Sequence, residues 1–251
     1  MLVKRNDKAK QFFLTINEYG SGKKISHDFG EGLSLASAYV DGNTLYVFGT
    51  KDWTKYGESA IYQIKSDNLK DFSEPMLIYK AKEGQRIFNT SVTKNIKTGK
   101  FAMAIEVDET GFTPFSIQFL LSDDANIWEM DESNVFGKEI YVACPTLKYV
   151  EGYYYLLYGV EDFYDPNCKD CKKYITKISR SKDLYKWESS AIPFLIPLTD
   201  GSEGLSAADV DMAEYNDKTY ILYSISDQST WGSMKSATFN GATERLFNIF
   251  F

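Results

Sequence analysis

Cysteine, histidine and long apolar runs are scarce in this chain of 251 residues. Three cysteines are an odd number, which does not suit a disulfide framework and fits a reducing compartment better. The single histidine, His27, is too isolated in the sequence to form a catalytic dyad. No apolar run approaches the roughly 20 residues of a membrane helix, so we expect no membrane association.

Positive charge is also in short supply. The chain has 28 basic and 35 acidic side chains, a net charge of -7, whereas a nucleic-acid-binding protein needs a basic face. Residues 1–17 are basic but have no apolar core or small-residue cleavage site, so no signal peptide is visible. We therefore expect a cytoplasmic monomer, and export by a leaderless route stays open.

Aromatic residues, in contrast, are abundant, at 16% of the chain, and they favour β-strands. Four hairpin patterns recur, each an apolar strand, a tight turn and a second apolar strand. They occupy residues 35–50, 88–107, 143–160 and 208–224. Their turns contain Asp-Gly, Thr-Gly, Glu-Gly or Asn-Asp at spacings of 57, 53 and 65 residues, and Gly, Asn and Asp tolerate the positive φ of hairpin turns.

A second strand follows the first three hairpins and ends in the same kind of turn. In residues 61–72, 117–128 and 175–187, a serine is followed within two residues by an aspartate, and then by Phe or Trp after a short spacer. The Ser and Asp oxygens can cap a turn, and the aromatic ring then starts an outer strand. Residues 232–241 retain the strand but lack the aromatic signature.

Three or four antiparallel strands repeated in this way predict a β-propeller, because blade repeats run at roughly 40–50 residues. A β-sandwich of short strands is the alternative, but it gives no reason for a turn repeated in register. We predict one all-β domain over residues 1–251, a five-bladed propeller of four-stranded antiparallel blades. The strand-like residues 10–17 and 245–251 would combine into the fifth blade and close the ring.

This architecture predicts which polar side chains meet at the axis. The first strand of each blade lines the channel, and the second runs antiparallel to it, so strand-one starts and strand-two ends share one face. The starts supply Ser37, Asn89, Cys144, Asp209 and Asp211, and the ends supply Asp52, Glu106, Glu161 and Asp227. Ordinary solvated charges at loop edges are the alternative interpretation.

Two carboxyl groups on opposite sides of a sugar are what glycoside hydrolysis requires, one as acid and one as base or nucleophile. We therefore predict Glu106 or Glu161 as the acid and Asp209 as its partner. Binding would involve Asp52, Trp53, Arg86, Asn89, Asp211 and Asp227. Trp53 and Tyr56 could stack on a sugar ring, and Arg86 could hold a substrate carboxylate or Glu106.

The hairpins at residues 38–50 and 149–159 and the turn at residues 181–187 resemble those of five-bladed propeller glycoside hydrolases. The resemblance is to the arabinosidase and xylosidase group of family 43 and the invertase group of family 32. Residues 86–92, 143–149 and 208–224 are similar to an uncharacterised glycosidase-like branch of that superfamily. The resemblance covers roughly residues 30–240.

The resemblance implies an Asp on blade one, a second Asp on blade two and an acid Glu on blade three. The sequence has Asn89 and Ala143 at the latter two positions, and Asp28 is the nearest acid upstream of the first. The alternatives are therefore a glycosidase whose acids come from neighbouring positions, or a propeller that binds glycans without cleaving them. A protein-interaction platform is a third possibility.

No cofactor is predicted, although the oxygens of Asp209 and Asp211 would suit a structural calcium ion. Cys168 and Cys171 form a C-x-x-C pair, but a zinc site needs about four ligands and no second pair exists. An oxidisable loop pair is the better interpretation.

Overall fold

The computed structural model describes residues 2–8, 11–162 and 172–251, with only the backbone for 2–8 and 11. The described chain is all-β, which confirms the predicted class, and has one short helix. Sheet A contains β3 (Ser34–Asp41), β4 (Thr44–Lys51), β5 (Ala60–Ser66) and β6 (Met76–Lys80). Sheet B contains β7 (Gln85–Lys94), β8 (Phe101–Glu109), β9 (Ser116–Ser122) and β10 (Glu129–Phe136).

Sheet C contains β11 (Ala143–Val150), β12 (Tyr153–Asp162), β13 (Lys173–Ser181) and the short β14 (Trp187–Ser189). Sheet D contains β15 (Ser206–Glu214), β16 (Thr219–Ser226) and β17 (Gly232–Phe239). Neighbouring strands within each sheet are antiparallel, and one parallel bridge, between Tyr174 and Ser206, connects sheets C and D. A separate hairpin at the start of the chain contains β1 (Leu2–Lys8) and β2 (Gln11–Asn17).

The turns form where the sequence predicts them. Gly42, Gly99 and Gly152 have φ of 59°, 79° and 92°, and Asn216 and Asp217 have φ of 50° and 53°. These residue types reach the left-handed region at little steric cost, so they reverse the chain between paired strands.

The serine and aspartate turns form as predicted in the second and third copies, whereas in the first copy Asn68 accepts the turn amides in place of the aspartate. In the third copy, the Ser181 hydroxyl oxygen accepts the Leu184 amide, and Asp183 Oδ1 accepts the amides of Tyr185 and Lys186. The Trp187 indole then donates to the Leu184 carbonyl at 2.9 Å and begins β14. Side-chain oxygens thus satisfy turn amides that no strand can pair.

The four sheets are arranged around one central pit. The strands β3, β7, β11 and β15 come first in their sheets, lie beside one another in that order and line the pit. This confirms the prediction that the first strand of each repeat faces the axis.

Hydroxyl groups connect each pair of consecutive sheets. Thr50 donates to the Phe88 carbonyl between sheets A and B, and Ser91 accepts the Leu147 amide between sheets B and C. Thr146 donates to the Val210 carbonyl between sheets C and D. Among the described residues, no such hydrogen bond connects β15 to β3.

The C-terminal strand predicted at residues 245–251 is wrong, because helix α1 (Thr243–Phe247) begins there. Phe247 is fully buried, and Leu246 is nearly so. Both pack on sheets C and D, together with Phe250 and Phe251. Leu246 and Phe247 lie at the end of the helix, and Phe250 and Phe251 follow it at the end of a turn, so the segment buries its apolar side chains without forming a strand. The N-terminal segment forms a strand as predicted, but it pairs with β1.

Candidate functional site

The central pit has a volume of about 130 Å³ and takes residues from all four first strands. Each of these strands has a β-bulge at the same point of its register, between Ser34 and Ser37 in sheet A and at matching places in the others. Leu35, Cys144 and Asp209 occupy equivalent bulge positions and have φ of 51°, 52° and 52°. A bulge re-aims a side chain, which brings Cys144 and Asp209 to the pit.

Glu106 lies on β8 opposite the bulge of β7, directly behind the pit, and is only 3% exposed. Its Oε2 accepts the Asn89 side-chain amide and the Cys144 backbone amide, each at 2.8 Å. The pKa of Glu106 is raised to about 7, chiefly by burial and to a smaller extent by the nearby charge of Asp209, while the two hydrogen bonds partly oppose the rise. The carboxyl group is therefore partly protonated at neutral pH.

Cys144 lies between the two acids and is a free cysteine. Burial raises the pKa of its thiol well above the usual value, and the charges of Glu106 and Asp209 add to the rise. The thiol is also 3.7 Å from the Asn89 amide nitrogen. It therefore remains protonated and is a poor nucleophile at neutral pH.

Asp209 and Asp211 are exposed on β15 and face the pit. Asp209 Oδ2 accepts the Ser224 hydroxyl at 2.5 Å, and Asp211 Oδ1 is 3.4 Å from Lys148 Nζ. The structure thus places Asn89, Glu106 and Asp209 close to one another, with Asp211 at the same opening.

Three other predicted carboxylates have partners of their own. Glu161 pairs with Lys172 at 2.6 Å and accepts the Tyr174 hydroxyl at 3.1 Å. Asp52 pairs with Lys55 at 3.1 Å. Asp227 accepts three backbone amides and a threonine hydroxyl of its own loop, residues 227–231, and these bonds lower its pKa. The Asp227 carboxylate therefore stabilises the conformation of its own loop.

Arg86 does not contact Glu106. Its guanidinium pairs with Asp108 at 2.8 Å and stacks over the rings of Tyr56 and Phe88, at 4.7 and 5.1 Å from their centroids. Trp53 lies against the same Phe88 ring, with centroids 5.9 Å apart. The two predicted binding residues therefore belong to one aromatic rim beside the pit.

Sequence reasoning missed Tyr141 and Ser224. Burial raises the pKa of the Tyr141 hydroxyl, and Cys144 and Glu106 are close enough to contribute to that rise. Ser224 binds Asp209 from the neighbouring strand. The regular pairing of β16 with β15 could have identified Ser224, whereas Tyr141 lies in a connection without a repeat signal.

Within the part of the chain that the structure describes, no three His, Cys, Asp or Glu side chains are grouped closely enough to hold a metal ion. Cys168 and Cys171 lie outside the described residues. Among the helices of the described segments, none is long and apolar enough to cross a membrane.

No protein-family model matches the sequence, and no curated protein sequence matches it. Solved structures do match. An exo-1,5-α-L-arabinanase from a bovine ruminal metagenomic library is 9% identical, with a TM-score of 0.62 over 96% of this chain and 93% of that one. A thermostable family-43 glycoside hydrolase is 16% identical, with a TM-score of 0.63 over 83% and 69%.

The Bombyx mori family-32 β-fructofuranosidase, solved with sucrose, is 14% identical, with a TM-score of 0.64 over 85% of this chain and 47% of that one. The chain thus spans about half the length of that enzyme. These likenesses show that the chain has the β-propeller fold found in glycoside hydrolases. The prediction of a β-propeller is therefore confirmed, and the number of blades and the closure of the ring stay predictions.

Proposed function

We propose that this protein is a glycosidase that acts on a carbohydrate in the central pit. The observation that carries the proposal is the pairing of two carboxyl groups: Glu106, buried directly behind the pit with its pKa raised to about 7, and Asp209, exposed in the lining of the pit. Glycoside hydrolysis needs one protonated and one ionised carboxyl group, and different environments provide them.

Glu106 acts as the acid in this proposal, since a carboxyl group with a pKa near 7 retains a proton at neutral pH. Asp209 acts as base or nucleophile, and Ser224 fixes its orientation. Asn89 and the Cys144 amide hold the Glu106 carboxyl group in place. This role requires that the Asn89 side chain leave its hydrogen bond with Glu106 Oε2, so that a glycosidic oxygen can reach the acid.

The test is hydrolysis of a panel of aryl arabinofuranosides, xylosides and fructofuranosides. We expect Glu106→Gln and Asp209→Asn each to lower kcat by about 100-fold or more, because each removes a proton-transfer or nucleophilic group. Glu161→Gln decides between the two predicted acids and should leave kcat unchanged. Asp123→Asn, at an exposed outer turn, is the matched control. Equal trace activity in all four variants would remove the catalytic assignment.

A second candidate function is carbohydrate binding without cleavage. The near-complete burial of Glu106 favours it, because a catalytic acid must touch the glycosidic oxygen. Saturable binding on a glycan array, lost in Asp209→Asn but with no turnover of any bound glycan, would establish this function instead.

We also propose that the β1–β2 hairpin takes the place of the fifth blade and that the protein is a monomer. Leu14 forms an isolated antiparallel β-bridge with Phe29, and the side chains of Leu14 and Ile16 pack on sheet A. Beyond β2, the Tyr19 ring contacts Tyr220 of sheet D, with centroids 5.6 Å apart. These contacts with sheet A and with sheet D support the proposal that the hairpin region closes part of the gap between the last sheet and the first. Light scattering, which measures the molar mass in solution, should give the mass of one chain, 28.6 kDa, if the protein is a monomer.

A further inference from the structure

A second cavity opens between sheets D and A, where β15 and β3 form its facing walls. We call it the lateral cleft. Its volume is about 470 Å³, within the range of roughly 300–1,000 Å³ that small-molecule sites occupy. It lies between β15 and β3. Among the described residues, this is the one pair of neighbouring sheets whose first strands no hydroxyl hydrogen bond connects.

The lining of the lateral cleft is apolar along most of its length. Its side chains include Tyr19, Ala213, Tyr215, Tyr220, Leu222 and Met234. Tyr215 and Met234 are 68% and 60% exposed, so apolar surface is left open to solvent here. Exposed apolar surface in a concave site is characteristic of a place that a ligand covers.

The polar groups of the cleft are concentrated at one end. Among the side chains that the structure describes, the charged ones in the cleft are Asp209 and Asp211, and these two, together with Ser37, also line the central pit. The cleft and the pit therefore adjoin at these side chains. A molecule that fills both has a hydrogen-bonding end at the carboxylates and an apolar end against tyrosine, leucine and methionine.

We propose that the lateral cleft binds the apolar aglycone of a glycoside whose sugar lies in the central pit. This inference rests on the proposed carbohydrate function and specifies its substrate class. An amphiphilic glycoside fits both ends, whereas a plain oligosaccharide would leave the apolar wall facing hydroxyl groups.

The test compares methyl and n-octyl glycosides of arabinose, xylose, glucose and fructose by calorimetry, below the micelle concentration. We expect the octyl member of the preferred pair to bind at least about tenfold more tightly, because its chain leaves water for the cleft. Asp209→Asn should weaken both members of that pair by the same factor, since it acts at the shared sugar end.

Two variants act on the cleft alone. Ala213→Trp fills it and Met234→Lys places a charge in it, and neither residue lines the pit. Both should reduce octyl affinity to the methyl level and leave methyl affinity unchanged. Ala237→Trp is the matched control, because Ala237 lies on the opposite face of β17 from Met234 and outside the cleft.

Failures of the two proposals are distinguishable. Methyl glycosides that bind or are hydrolysed with no octyl advantage, or an advantage that survives Ala213→Trp, overturn the cleft proposal and leave the glycosidase standing. An octyl advantage without discrimination among sugars, equal to that of a polyethylene glycol octyl ether, overturns the carbohydrate function. Absence of binding counts against both. A dimer that Ala213→Trp abolishes would assign the cleft to a second copy.

Discussion

Glu106 shows that a carboxyl group on a propeller strand can have a raised pKa chiefly because it is buried, and not because a second carboxyl group contacts it. Its raised pKa arises chiefly from burial, and the charge of Asp209 adds a smaller effect. The Asn89 amide and the Cys144 amide stabilise the ionised form and limit the rise. The balance leaves the pKa of Glu106 at about 7, where a carboxyl group both holds and releases a proton at neutral pH.

The raised pKa predicts how stability depends on pH. Between pH 4.5 and about 7 the unfolded chain has released the Glu106 proton while the folded chain retains it, so stability falls as pH rises. At about 1.4 kcal/mol per pKa unit, this loss approaches roughly 3 kcal/mol by pH 8. Glu106→Gln removes it. Between pH 5 and pH 8, urea unfolding should show the variant gaining about 2.5 kcal/mol on the wild type, since part of the full loss has already occurred at pH 5.

The same measurement on Asp123→Asn supplies the control, because Asp123 is exposed at an outer turn. Its pH profile should run parallel to that of the wild type. A Glu106→Gln profile that also runs parallel would mean that Glu106 ionises in the folded protein as it does in solution.

The sequence could predict that Glu106 and Asp209 lie near each other, because strand alternation and hairpin direction bring them to the same end of their sheets. It could not predict that Glu106 is buried behind the pit, whereas Asp209 lines it. It could not predict their partners. Arg86 lies three residues before Asn89, yet it forms an ion pair with Asp108, which lies opposite it on the neighbouring strand β8. Asp227 ends a strand like the others, but its carboxylate caps its own loop. Such pairings depend on side-chain directions that spacing does not encode.

At the scale of elements, the repeated turn was predictable because its chemistry is local. Ser66, Ser122 and Ser181 each accept turn amides with their hydroxyl oxygens. In the first copy, Asn68 accepts the amides that the aspartate accepts in the others. Asn and Asp have the same acceptor geometry, so the turn survives the exchange.

Asp183→Ala should destabilise the third copy of this turn by about 1 kcal/mol, since the amides of Tyr185 and Lys186 lose their acceptor. Chemical denaturation should show a lower midpoint with an unchanged slope. Lys182→Ala, at the neighbouring position, should change stability by much less. Equal losses in the two variants would show that the Asp183 carboxylate does not support the turn.

At the scale of the whole molecule, the radial arrangement was predictable and the way the chain ends was not. Hydroxyl bonds between consecutive sheets and shared apolar clusters organise sheets A to D around the pit. The apolar residues 245–251 suit a strand or a helix by composition, and over so short a run periodicity does not distinguish the two. Packing on sheets C and D favours the helix.

Helix α1 therefore covers apolar side chains of sheets C and D, and loss of its packing should be costly. Phe247 is fully buried and stacks on Tyr155, with centroids 4.4 Å apart. Phe247→Ala deletes a buried ring and leaves a cavity, which costs about 3–5 kcal/mol. Thermal and urea unfolding measure this loss.

Ile249→Ala is the matched control, because Ile249 lies just beyond the same helix and is 58% exposed. We expect it to change the free energy of unfolding by less than about 0.5 kcal/mol. If the C-terminal residues instead paired as a strand with the N-terminal hairpin, the alternating positions 247 and 249 would face the same side of that strand. Comparable losses in the two variants would then favour the strand and contradict the helix.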